Sequence, residues 1–261
     1  MEWFFALTTV LFASIAAYLS FKREKKTDIQ KKEGSAAVER MHIIVHELRA
    51  PVTAIKGAAS LLLSKRISEE DKDKMLHVIF DSAREMLSRI SEILDSAKLA
   101  EGKFAIKKVK ADLDVIMREH IDVFSYAARE KGITLVFEPA QIPQFYFDPG
   151  RIGQVINNLI SNSLKFTKQQ GKIEVKISMK KQEIEVEVAD NGIGIPEDKK
   201  AVLFTKFGQI SDMARAEESS GLGLFISRQI VEAHGGRIWI ESKEGTGTHV
   251  FFTLPFSTSE E

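Results

Sequence analysis

Residues 172–195 read KIEVKISMKKQEIEVEVADNGIGI. Apolar side chains at Ile173, Val175 and Ile177, and again at Ile184, Val186 and Val188, alternate with charged or polar ones. A period of two is that of a half-exposed strand, so Lys172–Met179 and Glu183–Ala189 are expected to form a strand pair, with Lys180 to Gln182 as the turn. The second strand runs into Asp190, followed by Gly192 and Gly194. Glycine lets backbone approach a flat ligand closely, and an ionised carboxylate only accepts hydrogen bonds, which suits an exocyclic amine.

On either side the pattern changes to helix and strand in turn. Leu113–Glu130 reads as a helix stopped by Lys131-Gly132, Pro149–Lys168 as a second, and Leu222–His234 as a third closed by Gly235-Gly236. Phe104–Val109, Ile133–Phe137, Arg237–Glu241 and His249–Leu254 read as strands. Helices and antiparallel strands in this order imply an α+β two-layer sandwich. Ser219-Ser-Gly-Leu-Gly-Leu224 enters the third helix and would present free amides and a positive dipole end to phosphate. Within Asn157-Asn-Leu-Ile-Ser-Asn162, Asn158 and Asn162 share a helix face, with Lys165 a turn beyond. Two amide oxygens there could hold Mg²⁺ beside a phosphate chain, because Mg²⁺ takes few protein ligands when nucleotide oxygens are present. Taken singly, such stretches are more often a turn, a tight helix entry and a solvated helix face; together and in this order they reinforce one another.

The N-terminal part of the chain is helical in rhythm. Val38, Met41, Val45, Leu48, Val52, Ile55, Ala59 and Leu62 are spaced by threes and fours, as in a coiled-coil seam. After a break at Ser64 to Ser68, Ser68-Glu-Glu-Asp reads as a capped helix start. Leu76, Ile79, Ala83, Met86, Ile90, Ile93 and Ala97 then form one stripe, ending near Gly102. Such an αα-hairpin buries little alone, so the expected solution is a homodimeric four-helix bundle, the alternative being packing against another domain. The stretch Met41-His-Ile-Ile-Val-His-Glu-Leu-Arg-Ala-Pro51 lies on the first helix. His46 and Glu47 fall off its seam, and Pro51 cannot donate to the Glu47 carbonyl, so the helix should bend or loosen there. His42 and His77 are read as solvated bystanders.

Trp3 to Phe21 contains no charge. As a helix it would span ~28 Å, about one hydrocarbon core. Lys22, Arg23, Lys25 and Lys26 follow and no basic residue precedes, which favours a single-pass anchor over a cleaved leader and places the rest of the chain in the cytosol. Only one or two residues would remain on the far side, so no external sensing domain is expected in this chain. Lys+Arg and Asp+Glu each number 37, which gives no basic field for nucleic acid. Absence of cysteine excludes disulfides and thiolate zinc sites.

Together with His46-Glu-Leu-Arg-Ala-Pro51, these stretches resemble the sequence boxes of bacterial sensor histidine kinases, over about residues 36 to 255. The resemblance implies a transmembrane anchor (1–21), a cytoplasmic linker (22–35), a dimerisation and phosphoacceptor hairpin (36–102), an ATP-binding domain (103–256) of the gyrase, heat-shock-ninety, histidine kinase and MutL superfamily (the Bergerat fold), and a tail (257–261). It implies ATP and Mg²⁺ as cofactors, a homodimer, and a response-regulator receiver domain as partner at the plasma membrane. His46 would accept phosphate and Glu47 would act as its base. Asn158 and Asn162 would meet the metal and Lys165 a phosphate. Asp190 would hold the adenine amine, with Gly192 and Gly194 behind the ring and Thr248 nearby. Residues 191–220 would form a mobile lid carrying Leu203-Phe-Thr-Lys-Phe207, whose Phe207 joins the nucleotide site. Gly221, Leu222 and Gly223 would cradle phosphate.

Three positions depart from that pattern. Ala50 stands where threonine or asparagine is usual, one turn past His46, so phosphatase activity is expected to be weak. Val45 replaces a common serine, and Ser219 stands at a usual glycine, which would stiffen the lid and lower nucleotide affinity. Two other classes compete: a silent nucleotide-binding scaffold, and a mechanical ATPase of the same nucleotide fold. The second leaves His46 without a role.

Overall fold

The computed structural model describes residues 45, 48–64, 68–206, 208 and 221–258. The readings made for residues 1–44, His46, Glu47, Phe207 and Ser219, including the membrane helix, fall outside the described residues. Among the described residues no helix is long and apolar enough to cross a membrane. The chain divides into two compact units, Met1–Ala83 and Arg84–Glu261.

In the first unit, residues 48–63 form helix α1, unbroken at Pro51. Helix α2, Glu69–Ala100, starts as its sequence dictates and continues into the second unit. The Ser68 hydroxyl accepts the Asp71 N–H at 3.1 Å and donates to the Asp71 carboxylate at 2.7 Å, closing a capping ring. The apolar positions of α2 do not form the single stripe expected. Ile79, Met86 and Ile93 are half-buried, whereas Leu76, Phe80, Leu87, Ile90 and Leu94 stand exposed, Phe80 by 65% and Leu87 by 63%. The spacing 76, 80, 87, 90, 94 is itself a heptad file. Phe80, Leu87 and Leu94 fall outside the expected stripe because they lie one residue further round the helix than Ile79, Met86 and Ile93.

The second unit is an α+β sandwich. After β1 (Val109–Ala111) and α3 (Leu113–Glu130) come β2 (Thr134–Glu138), β3 (Phe145–Phe147) and α4 (Pro149–Phe166). The strands β4 (Lys172–Lys180) and β5 (Glu183–Asp190) follow, then the one-turn α5 (Glu197–Lys200), α6 (Gly223–Ala233), β6 (Ile238–Lys243) and β7 (Gly247–Pro255). The main sheet has the order β2-β4-β5-β7-β6, and β1 pairs with β3 separately. All contacts in the main sheet are antiparallel except β2 with β4, which is parallel, so the sheet is mixed. The expected strand at Phe104–Val109 is displaced toward the C-terminus, β1 being Val109–Ala111 with only Val109 in common; the short β3 and α5 carry no periodic signal long enough to read.

Register decides what the sheet faces. Val175, Val188 and Val250 lie abreast, as do Ile177, Val186 and Phe252. These side chains join Met117, Ile121, Val155, Ile156, Ile160, Ile226 and Ile230 from α3, α4 and α6 in one core. The opposite face carries Glu187 paired with His249 at 2.7 Å, and Trp239 stacked on Phe251 at 5.1 Å between centroids. Ile173 lies across from Asp190, and Asp190 across from Thr248. The core-facing file Ile184, Val186, Val188 therefore ends in a carboxylate.

Asp148 ties the entry of α4 to its surroundings. Its Oδ1 accepts the Arg151 N–H at 3.0 Å, its Oδ2 accepts the Lys107 N–H at 2.7 Å, and its own N–H donates to His234 Nε2 at 3.0 Å. His234 Nδ1 donates to the Ile230 carbonyl at 2.8 Å, and burial pushes the imidazole pKa down, which keeps it neutral. Asp148→Ala is expected to destabilise this unit by roughly 1–2 kcal/mol, read as a lower urea midpoint of the Arg84–Glu261 transition, because an N-cap acceptor is lost. An unchanged midpoint would show that the cap is dispensable.

Candidate active site

Alternation in β5 aims Asp190 beneath the helix layer, where it is 8% exposed. The Gly192 N–H donates to its Oδ1 at 2.9 Å and the Ser163 hydroxyl to its Oδ2 at 3.1 Å. Burial raises the carboxyl pKa above the ordinary aspartate value, against the opposing pull of these hydrogen bonds. A side chain at Gly192 would stand 2.5 Å from the Phe166 carbonyl oxygen, so backbone passes here where only hydrogen fits. Gly194 has φ +67°, and a Cβ there would meet the Lys243 carbonyl oxygen at 2.1 Å.

The loop after β5 is fixed to the β6–β7 turn. The Gly245 N–H donates to the Ile193 carbonyl at 2.7 Å. Ser242 Oγ accepts the Ile195 N–H at 2.9 Å, donates to the Gly247 carbonyl at 2.7 Å and lies 3.0 Å from Thr248 Oγ1. Thr248 is thus held beside Asp190 on the same sheet face.

On α4, the Asn162 Nδ2 donates to Asn158 Oδ1 at 3.3 Å, and Asn158 Nδ2 donates to Ser227 Oγ at 2.9 Å. The half-buried Lys165 shares this helix, its Nζ 5.5 Å from the Phe166 ring centroid. Asn157 faces the other way, its Oδ1 2.8 Å from His120 Nδ1 on α3. Gly221 has φ +64°, Leu222 is buried, and α6 begins at Gly223 with no side-chain cap on its amides. A helix start left uncapped offers its N–H groups to an anion. Gly223 passes so close to Asn158 that a Cβ would sit 2.3 Å from Asn158 Oδ1. A carboxylate under a glycine floor, two amides on one helix face and an open helix start are chemically suited to a purine, a divalent cation and a phosphate chain respectively.

Residues 38–102 match the family described as the His Kinase A (phospho-acceptor) domain, and residues 147–258 the family described as Histidine kinase-, DNA gyrase B-, and HSP90-like ATPase. The catalytic domain of histidine kinase ThkA is 30% identical with a TM-score of 0.52, and the match covers 99% of that chain and 58% of this one. The chain belongs to the histidine kinase family. Full-length ShkA in complex with AMPPNP is similar over 83% of this kinase and 45% of that chain, at 26% identity and a TM-score of 0.60. Histidine kinase ThkA in complex with the response regulator protein TrrA is similar over 84% of this kinase and 61% of that chain, at 27% identity and a TM-score of 0.54. Among curated relatives, the virulence sensor protein BvgS of Bordetella bronchiseptica is 35% identical over 83% of this kinase, and the adaptive-response sensory kinase SasA of Synechococcus sp. 35% over 82%. The kinase spans 18% and 58% of the lengths of those two relatives.

Of the residues singled out from sequence, Asp190, Gly192, Gly194 and Thr248 gather at one end of β5 and β7, and Asn158, bonded to Asn162, meets the start of α6 at Gly223. Sequence reasoning passed over Ser163, Ser227 and Ser242. Serine spacing carries no signal of what the side chain bonds. His77 bonds the Asp73 carbonyl of its own helix at 2.9 Å, as a bystander would.

The position of Asp190 generates a pH dependence. A raised pKa means that the free carboxyl takes up its proton above the ordinary aspartate range of about 4, and a protonated carboxyl no longer offers two acceptor oxygens to an amine. Adenine-nucleotide affinity is therefore expected to be constant near neutrality and to fall on mild acidification, before an unperturbed aspartate would titrate. Asp190→Asn is expected to bind weakly at every pH with no such transition. Calorimetric titration of ADP between pH 7.5 and 4.5 reads this; a flat wild-type profile would contradict it.

Proposed function

We propose that this chain is an ATP-dependent protein-histidine kinase that phosphorylates His46 and passes the phosphoryl group to an aspartate of a response-regulator receiver domain. The observation that carries the reading is the buried Asp190 on its glycine floor, in the same layer as the Asn158–Asn162 pair and the open start of α6. In this reading Asp190 accepts from the adenine amine with Gly192 and Gly194 behind the ring and Thr248 alongside. Gly221, Leu222 and Gly223 receive phosphate, Lys165 neutralises it, and Phe207 joins the nucleotide site.

Among the described residues no cluster of three or more acidic or histidine side chains could hold a metal. Asparagine oxygens with phosphate oxygens fit Mg²⁺, which needs few protein ligands in such company. Asn158 and Asn162 would hold it, and when bound it supplies charge neutralisation on the phosphates. A ring nitrogen of His46 attacks the γ-phosphorus; the N–P bond forms as the bond to the bridging oxygen breaks, and ADP departs. Glu47 takes the imidazole proton. In the second step the receiver carboxylate attacks that phosphorus and the histidine nitrogen leaves.

The exposed file Leu76, Phe80, Leu87, Ile90 and Leu94 supports a homodimer, since a second copy would remove these side chains from water. The charge-free run Trp3 to Phe21 followed by its basic cluster supports a single-pass anchor with the kinase in the cytosol. The domain limits proposed are 36–102 for the phosphoacceptor hairpin and 103–256 for the ATP-binding domain.

Incubation with γ-labelled ATP is expected to give an acid-labile, base-stable label on the wild type, none on His46→Gln, and at least tenfold less on Asn162→Asp. Steady phosphate release with an unlabelled wild type would indicate a mechanical ATPase instead. Ala50, exposed on α1, offers no group to hold an attacking water. Ala50→Thr is therefore expected to shorten the half-life of a phosphorylated receiver domain while leaving His46 labelling unchanged; an equal half-life would remove this role for position 50.

A further inference from the structure

We propose that Ser227 is the positioning residue that holds the Asn158 side chain in place for the metal, an inference that rests on the nucleotide-site reading above. An asparagine side chain presents two ends of nearly equal size, and only its oxygen can ligate a cation. An amide free to swing would meet the metal only part of the time, so the side chain has to be held. The two bonds that hold it are unequal. Asn162 reaches Asn158 Oδ1 at 3.3 Å, at the long end of the range, whereas Asn158 Nδ2 reaches Ser227 Oγ at 2.9 Å. Ser227 is 1% exposed, so water does not compete for that contact.

Ser227 lies one turn beyond Gly223 on α6, on the same helix face. The first turn of α6 thus meets Asn158 at two points. Gly223 leaves the room, since a Cβ there would lie 2.3 Å from the amide oxygen, and Ser227 takes the amide nitrogen. With Asn158 so turned, its oxygen engages Asn162 Nδ2, which directs Asn162 Oδ1 away from that bond. One buried hydroxyl tethers the asparagine pair, so the helix that offers its start to phosphate also anchors the metal ligands.

The test measures binding of a fluorescent ATP analogue to the full chain, with Mg²⁺ and with EDTA, alongside thermal midpoints. For Ser227→Ala the Mg²⁺-dependent gain in affinity is expected to fall about tenfold, the scale of one buried hydrogen bond, with affinity in EDTA within about twofold of wild type. Ser227→Cys keeps the volume but is a weak acceptor and should behave like alanine, whereas Ser227→Thr keeps the hydroxyl and should retain the gain. In an Asn158→Ala background, Ser227→Ala should remove no further Mg²⁺ dependence. Equal losses with and without Mg²⁺, or additive effects in the double variant, would reduce Ser227 to helix packing and overturn the proposal. A full Mg²⁺ gain in Asn158→Ala alone would instead overturn the site reading on which it rests.

Discussion

The alternation of side chains along β5 is the constraint on which the rest of the second unit depends. Ile184, Val186 and Val188 must face the helices to bury their apolar surface, and a strand has a period of two. Asp190, two residues on, is carried to the same face and into the same layer. No local preference of aspartate would place it there. The carboxylate is tolerated because Gly192 and Ser163 donate to it, and burial leaves its pKa raised nonetheless. A register slip of one residue would turn the file Ile184–Val188 to solvent and remove the site with it.

Around that carboxylate, close approach is made possible by missing side chains and fixed by serines. At Gly192, Gly194 and Gly223 a Cβ would strike a carbonyl oxygen or the Asn158 amide. Ser242 and Ser163 then hold the loop and the acid, and Ser227 holds the asparagine. Glycines permit the approach of loop to strand and of helix to helix; hydroxyls, able to donate and accept, satisfy the polar atoms left inside. The polar side chains of Asp190, Ser163, Asn158, Asn162 and Ser227 are bonded among themselves within an otherwise apolar layer.

The hairpin follows a different rule. A buried sheet file has one partner layer, whereas α2 divides its apolar residues between a half-buried file and an exposed one. Leu76, Phe80, Leu87, Ile90 and Leu94 are too many large apolar groups on one line for a helix that ends its packing within a single chain. Helix α2 thereby leaves an apolar file exposed, as the sandwich of α3, α4 and α6 on the main sheet, with its closed core, does not.

By itself, the sequence determined the order of the longer elements, the sandwich class, the boundaries of α3 to within a residue, and the residues gathered around β5, because period, caps and glycines are local physics. It did not determine the parallel pairing of β2 with β4, the short strand Phe145–Phe147, or the two files of α2. Pairing direction depends on where a connection returns, a three-residue strand has no period to detect, and helical files lie only one residue apart in phase. Nor could it show the hydroxyls of Ser163, Ser227 and Ser242 meeting Asp190, Asn158 and Ile195. Those bonds join residues far apart in the chain, and only the packing of α4 and α6 and the closure of the β5 loop onto β6 and β7 bring them within reach.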